Sequence, residues 1–154
     1  MATAGRKIFI DISIFIAFID RGAPNHLIAA KAIEDLASIG YRLFTSLQVA
    51  TDSYTLLYRD VGATVAFEFL QTILQTSIEI IFPQKADLIT AHRILRVNRD
   101  KQISISEALN ATLMQKRGIG QILTFSYWHN LFGTNASNLI EQGSRPTIGQ
   151  PMHR

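Results

Sequence analysis

The sequence predicts an α/β domain built as three layers, a central parallel sheet covered by helices on both faces. Two observations carry this prediction. Four short β-rich runs alternate with longer segments of helical periodicity, and alternation of that kind is the pattern of a parallel sheet with helical crossovers. The runs are nearly continuous in apolar character, as strands buried on both faces must be. Composition agrees: 154 residues, 47% hydrophobic and 18% charged, suffice for one core without staples.

The elements follow in order. Lys7–Ile10 reads as a buried strand ending at Asp11, and Ser13 is placed to cap the apolar helical stretch that runs toward Asp20. Gly22-Ala23-Pro24-Asn25 breaks the chain, after which Ile28, Ala29, Ala32, Ile33 and Leu36 recur at helical spacing until Gly40. Tyr41–Thr45 is a second strand. Helices are expected from Leu47 to Tyr58 and from Ala63 to Leu74. In the latter Ala66, Phe69, Leu70 and Ile73 form one apolar face, widened by Phe67 and Leu74, so core packing and a partner subunit both compete to cover it.

Ile78–Phe82 is a third strand closed by Pro83. Ala86–Val97 is expected helical with Leu88, Ala91 and Leu95 inward, and Ser104–Lys116 helical again. Gly118-Ile119-Gly120 turns the chain into a fourth strand, Gln121–Phe125, with a short helix expected from Ser126. The domain is expected to occupy 1–132. From Gly133 the chain is polar and rich in Gly, Pro and Ser, so 133–154 reads as a loosely ordered tail.

Several function classes drop out. No cysteine is present, which removes thiol nucleophiles, disulfides and cysteine-held zinc, and agrees with a reducing, cytoplasmic setting. A net charge of +3 does not make the whole chain a polybasic nucleic-acid binder, so any such role needs a local patch. The apolar stretch Ile8–Ile19 is too short to span a membrane, which takes ~20 residues, and it carries Asp11. No Gly-rich loop follows the first strand and there is no Gly-x-Ser-x-Gly. The histidines, His92 and His129 among them, show no metal-ligand spacing and read as surface or packing residues.

Ligands of open parallel sheets bind outside the carboxyl ends of the strands, near the topological switch point. Asp11 follows the first strand, Asp52 lies on the helix after the second, and Glu107 lies in the first turn of the helix before the fourth. Carboxylates converging there repel one another unless a hard cation offsets the charge, and Mg²⁺ held by one or two carboxylates suits phosphodiester chemistry. Each residue also has a plainer reading. Asp11 can cap a helix, Asp52 can be a solvated helix residue, and Ser104-Ile105-Ser106-Glu107 is a capping box. Arg93, Arg96, Arg99 and Lys101, with Lys116 and Arg117 further on, form either a phosphate-tracking surface or a solvated face neighboured by Asp87 and Asp100.

Taken together, Lys7-Ile8-Phe9-Ile10-Asp11-Ile12-Ser13, Arg21-Gly22-Ala23-Pro24-Asn25-His26, Thr45-Ser46-Leu47-Gln48-Val49-Ala50-Thr51-Asp52, Ile103-Ser104-Ile105-Ser106-Glu107-Ala108 and Arg117-Gly118-Ile119 through Leu123-Thr124-Phe125-Ser126 resemble the ordered motifs of the PIN-domain family, which includes VapC-type toxins. The resemblance covers about residues 7–132. It implies a Mg²⁺- or Mn²⁺-dependent endoribonuclease, with Asp11, Asp52 and Glu107 as metal ligands and catalytic acids, and Ser13 and Ser126 as polar support. It further implies RNA as substrate, a homodimer, and a small protein antitoxin as partner.

The chain departs from the family pattern in named places. Glu is usual where Asp52 stands and Asp where Glu107 stands, each swap moving a carboxylate by about 1.5 Å. A misplacement of ~1 Å can cost ~100-fold in rate. Ser126 replaces the fourth acid, Ile12 replaces a Thr, and the final strand of the family is not evident. These departures leave open a different class, a PIN-like RNA- or protein-binding module without catalysis. A receiver-like domain with Asp52 as phosphoacceptor fits worse, because Asp52 falls within a helix.

Overall fold

Ile8, Phe9 and Ile10 are all fully buried, and that burial places their strand at the centre of the molecule. The computed structural model describes residues 5–126 and, as backbone alone, residues 135–136. Its elements in chain order are β1 (Lys7–Ile10), α1 (Ile12–Ile19), α2 (His26–Ser38), β2 (Arg42–Ser46), α3 (Leu47–Asp60), α4 (Ala63–Gln75), β3 (Glu79–Ile81), α5 (Lys85–Val97), α6 (Ile105–Lys116), β4 (Gln121–Leu123) and β5 (Asn135–Ala136).

The strands pair in the order β3-β2-β1-β4-β5, and every pairing is parallel. Phe9 lies between Phe44 on β2 and Ile122 on β4. From β1 the chain steps through α1–α2 to β2 and through α3–α4 to β3. It then returns through α5–α6 to β4 on the other side of β1. Right-handed crossovers put the outward and returning helices on opposite faces, which gives the three layers. The switch point falls between β1 and β4, at the carboxyl ends that carry Asp11 and Thr124.

Phe9, with no exposed surface, fills the middle of this sheet. Phe9→Ala is expected to lower unfolding stability by about 3–5 kcal/mol, read from urea denaturation. A midpoint within error of the parent's would place the core elsewhere.

Helices α2 and α6 end alike. Beyond them Gly40 (φ 95°) and Gly118 (φ 67°) adopt the left-handed conformation. Tyr41 N–H donates to Leu36 O at 3.1 Å and Ile119 N–H to Met114 O at 2.8 Å. The chain so turned feeds directly into β2 and β4, and only glycine enters that conformation without strain.

Four expectations need correction. Ser13 does not cap α1. The N-cap is Asp11, which uses its backbone carbonyl and makes no side-chain cap, and Ser13 is spent elsewhere. Leu88 points outward, 49% exposed, while Asp87 is buried, because Asp87 closes a capping box with Gln84 and meets Lys116. The fourth strand stops at Leu123, leaving Thr124 and Phe125 beyond it. A final strand does exist: β5 pairs with β4 through Gln121↔Asn135 and Ilе122↔Ala136, and at two residues it offered no apolar run to see. The helix expected from Ser126, the boundary at 132 and the rest of the 133–154 tail lie outside the described residues.

Candidate active site

Asp11 is 2% exposed, a carboxylate held in the crevice between β1 and β4. Its backbone N–H continues the ladder by donating to Leu123 O at 3.1 Å. Its Oδ2 accepts from the Thr124 hydroxyl at 2.7 Å. Thr124 Oγ1 also lies 3.2 Å from Ser13 Oγ and accepts from Ser126 N–H at 2.9 Å, while Ser13 Oγ accepts from Phe125 N–H at 2.9 Å. A buried charge is tolerated only when hydrogen-bonded, and this hydroxyl network meets that need. It also fixes where the β4 exit loop sits relative to Asp11.

The second acid comes from α3. Ser46 ends β2 and caps α3 by accepting from Val49 N–H at 3.1 Å. This sets the helix so that Asp52 reaches the cleft from its second turn. Asp52 is exposed, and its Oδ2 accepts from Ser106 Oγ at 2.7 Å. The contact bridges α3 to α6 and holds the shorter Asp side chain across the cleft.

The third comes from α6, and here the plainer reading is realised. Ser104 and Glu107 form a reciprocal capping box, with Glu107 N–H donating to Ser104 Oγ and Ser104 N–H donating to Glu107 Oε1, both at 3.0 Å. One carboxylate oxygen of Glu107 is thus spent on the backbone. The other oxygen of Glu107 and the Oδ1 of Asp52 have no protein partner among the described residues.

All five residues singled out from the sequence, Asp11, Ser13, Asp52, Glu107 and Ser126, line one cleft of ≈ 430 Å³ together with Ile12, Val49, Thr55, Leu56, Ser104, Ser106 and Asn110. Among the described residues every polar side-chain group in that lining is an oxygen donor apart from the Asn110 amide nitrogen, and no basic side chain is present. Oxygen-only chemistry with excess negative charge fits a hard divalent cation. Among the described residues no three His, Asp or Glu side chains group closely enough to form a metal cage by themselves.

The basic residues divide. Asp87 meets Lys116 at 3.3 Å, so the N-terminal end of α5 lies beside the C-terminal end of α6, and the two helices form an antiparallel hairpin. Arg117 pairs with Glu79, and its carbonyl accepts from Lys7 Nζ. Lys7 and Glu79 open β1 and β3, so Lys116 and Arg117 sit toward the amino edge of the sheet, away from the acids. Arg93, Arg96 and Arg99 are exposed on the half of the hairpin nearer the cleft and make no ion pair among the described residues. Lys101, in the same loop, donates to Asn98 Oδ1 at 3.0 Å.

No family model matches the chain, and no curated protein matches it by sequence. Solved structures do. VapC20 of Mycobacterium tuberculosis, a sarcin–ricin loop cleaving toxin, superposes with a TM-score of 0.75 at 24% identity, over 82% of this chain and 95% of that one. The chain has the PIN fold of VapC-type toxins. VapBC2 from Rickettsia felis, solved bound to a DNA fragment from its promoter, gives 0.66 at 14% identity over 85% and 97% of the two chains. VapBC-1 from nontypeable Haemophilus influenzae gives 0.63 at 10% identity over 88% and 99%.

Three residues of the cleft network were missed in the sequence reading: Thr124, Ser106 and Asn110. Thr124 could have been found as the one polar residue inside the apolar run Ile122–Phe125. Asn110 follows Glu107 by three residues and shares its helix face. Nothing in the local pattern marks Ser106 as the partner of Asp52, fifty-four residues away.

Proposed function

We propose that this protein is a Mg²⁺- or Mn²⁺-dependent endoribonuclease of the PIN type, acting as the toxin of a toxin–antitoxin pair. The observation that carries this reading is the convergence of Asp11, Asp52 and Glu107 on one cleft at the switch point of the sheet. Asp11 and Asp52 would hold the ion, with Glu107 adding negative charge from its capping position. Bound there, the ion supplies positive charge against the phosphodiester and acidifies water. Thr124, itself held by Ser13, orients Asp11, and Ser106 keeps Asp52 across from it. Arg93, Arg96, Arg99 and Lys101 offer RNA phosphates a path toward the cleft.

The partners follow the same fold likeness. Similarity to VapC20 supports RNA as substrate, and similarity to VapBC2 and VapBC-1 supports a small protein antitoxin. Phe67, Leu70 and Leu74 leave an apolar face of α4 exposed, which supports a homodimer. No helix among the described residues is long and apolar enough to cross a membrane, in keeping with a cytoplasmic setting.

Cleavage of a labelled mixed-sequence RNA is expected with Mn²⁺ or Mg²⁺ and is expected to stop with EDTA. Attenuated turnover is expected, given Ser126 in place of an acid. A second reading, a PIN-like module that binds RNA or protein without catalysis, is favoured by the Glu107 capping box. RNA affinity without turnover in any metal would decide for it.

A further inference from the structure

Asn110 lies on α6 one turn beyond Glu107, lines the acidic cleft, and is only 3% exposed. Its Oδ1 accepts two hydrogen bonds, from Ser46 Oγ and Gln48 Nε2, both at 2.7 Å. Those bonds tie α6 to the start of α3 and lock the carboxamide plane. They also leave the two N–H groups of Nδ2 with no acceptor among the described residues. Nδ2 itself is not closed off from solvent, so its two donors open onto the cleft, where a ligand can meet them.

The cleft gives them a use. Among the described residues its lining carries three carboxylates, several hydroxyls and no lysine or arginine. An RNA phosphate entering such a site meets repulsion, and a cationic side chain there would be captured by the acids. A carboxamide N–H stays neutral, forms no ion pair, and is already oriented, so it can favour charge developing on a phosphoryl oxygen without reorganising.

We propose that Asn110 is a catalytic residue of this cleft, its oriented carboxamide donating to a non-bridging oxygen of the RNA phosphodiester. The inference rests on the ribonuclease reading above and adds to it a substrate contact that carries no charge.

The test compares initial rates of labelled mixed-sequence RNA cleavage in Mn²⁺ for the parent, Asn110→Asp and Asn110→Leu, alongside their melting temperatures. Asn110→Asp keeps the oxygen that accepts from Ser46 and Gln48 and loses the N–H pair, whereas Asn110→Leu loses the pair without adding charge. Both are expected to lower kcat by about 10- to 100-fold with KM little changed. If the leucine variant does not fold, the aspartate variant decides. Repulsion from its new charge would weaken RNA affinity and be relieved by added salt, whereas a lost donor lowers kcat at every salt concentration. A folded variant of either kind cleaving at the parent's kcat, or a loss in Asn110→Asp that salt restores, overturns the inference and leaves Asn110 a structural tie. An inactive parent in every metal overturns the ribonuclease reading and this inference with it, whereas an active parent matched by its variants overturns this inference alone.

Discussion

Asp11→Asn is expected to lower metal-dependent RNA cleavage by at least about 100-fold, the scale on which a preorganised electrostatic group acts in a water-poor site. The substitution is nearly isosteric. The new Oδ1 can still accept from Thr124, which donates to Asp11 Oδ2 at 2.7 Å in the parent, so the β4 exit loop keeps its anchor. The fold should therefore be retained, with melting temperatures as the check. Activity falls while the fold holds, and this separates a lost ligand from a damaged fold. Initial rates in Mn²⁺, with melting temperatures alongside, make the comparison. Parent-level cleavage by folded Asp11→Asn would remove Asp11 from the site.

Thr124→Val should have the second largest effect, and on both properties. Valine keeps the shape of the buried threonine and deletes the hydroxyl that joins Asp11, Ser13 and the Ser126 N–H. The Asp11 carboxylate then loses a charge-assisted hydrogen bond in a buried setting, and the expected cost is about 2–3 kcal/mol of unfolding stability. Cleavage should fall by about 10-fold or more as Asp11 loses its orientation. Thr124→Ser restores the hydroxyl and gives up one methyl, so it should recover most of both, with a residual cost of about 1 kcal/mol. Urea denaturation and cleavage rates on the three proteins test this. A valine variant as stable and active as the parent would mean that Asp11 is held by other contacts.

How much of this was readable in advance depended on whether the signal was local. β1 was legible because Ile8, Phe9 and Ile10 are apolar in succession and stop at Asp11, a short run that suits a strand covered on both faces. The ends of α2 and α6 were legible because Gly40 and Gly118 each satisfy a local conformational need. Asp11, Asp52 and Glu107 could be nominated because each stands at a fixed place relative to a strand or helix. The roles of their neighbours could not. Ser13 looks like a helix cap by sequence, yet its hydroxyl accepts from Phe125 N–H, more than a hundred residues on. Leu88 fits the helical period, yet Asp87 takes the buried place because Lys116 and the capping box meet it there.

By itself the sequence determined the alternation of strands and helices, the absence of thiol chemistry, and three acids placed where a parallel sheet presents ligands. These follow from hydrophobic periodicity and turn chemistry, which act over a few residues. Only the tertiary structure decided that Asp11 is gripped by Thr124, that Asp52 is bridged by Ser106, and that Glu107 spends an oxygen on its own helix. It alone set Arg117 toward the far edge of the sheet and laid the Asn110 amide in the cleft. The physical reason is that hydrogen bonds and ion pairs are made between groups that meet in space, and strand order, not sequence separation, decides which groups meet.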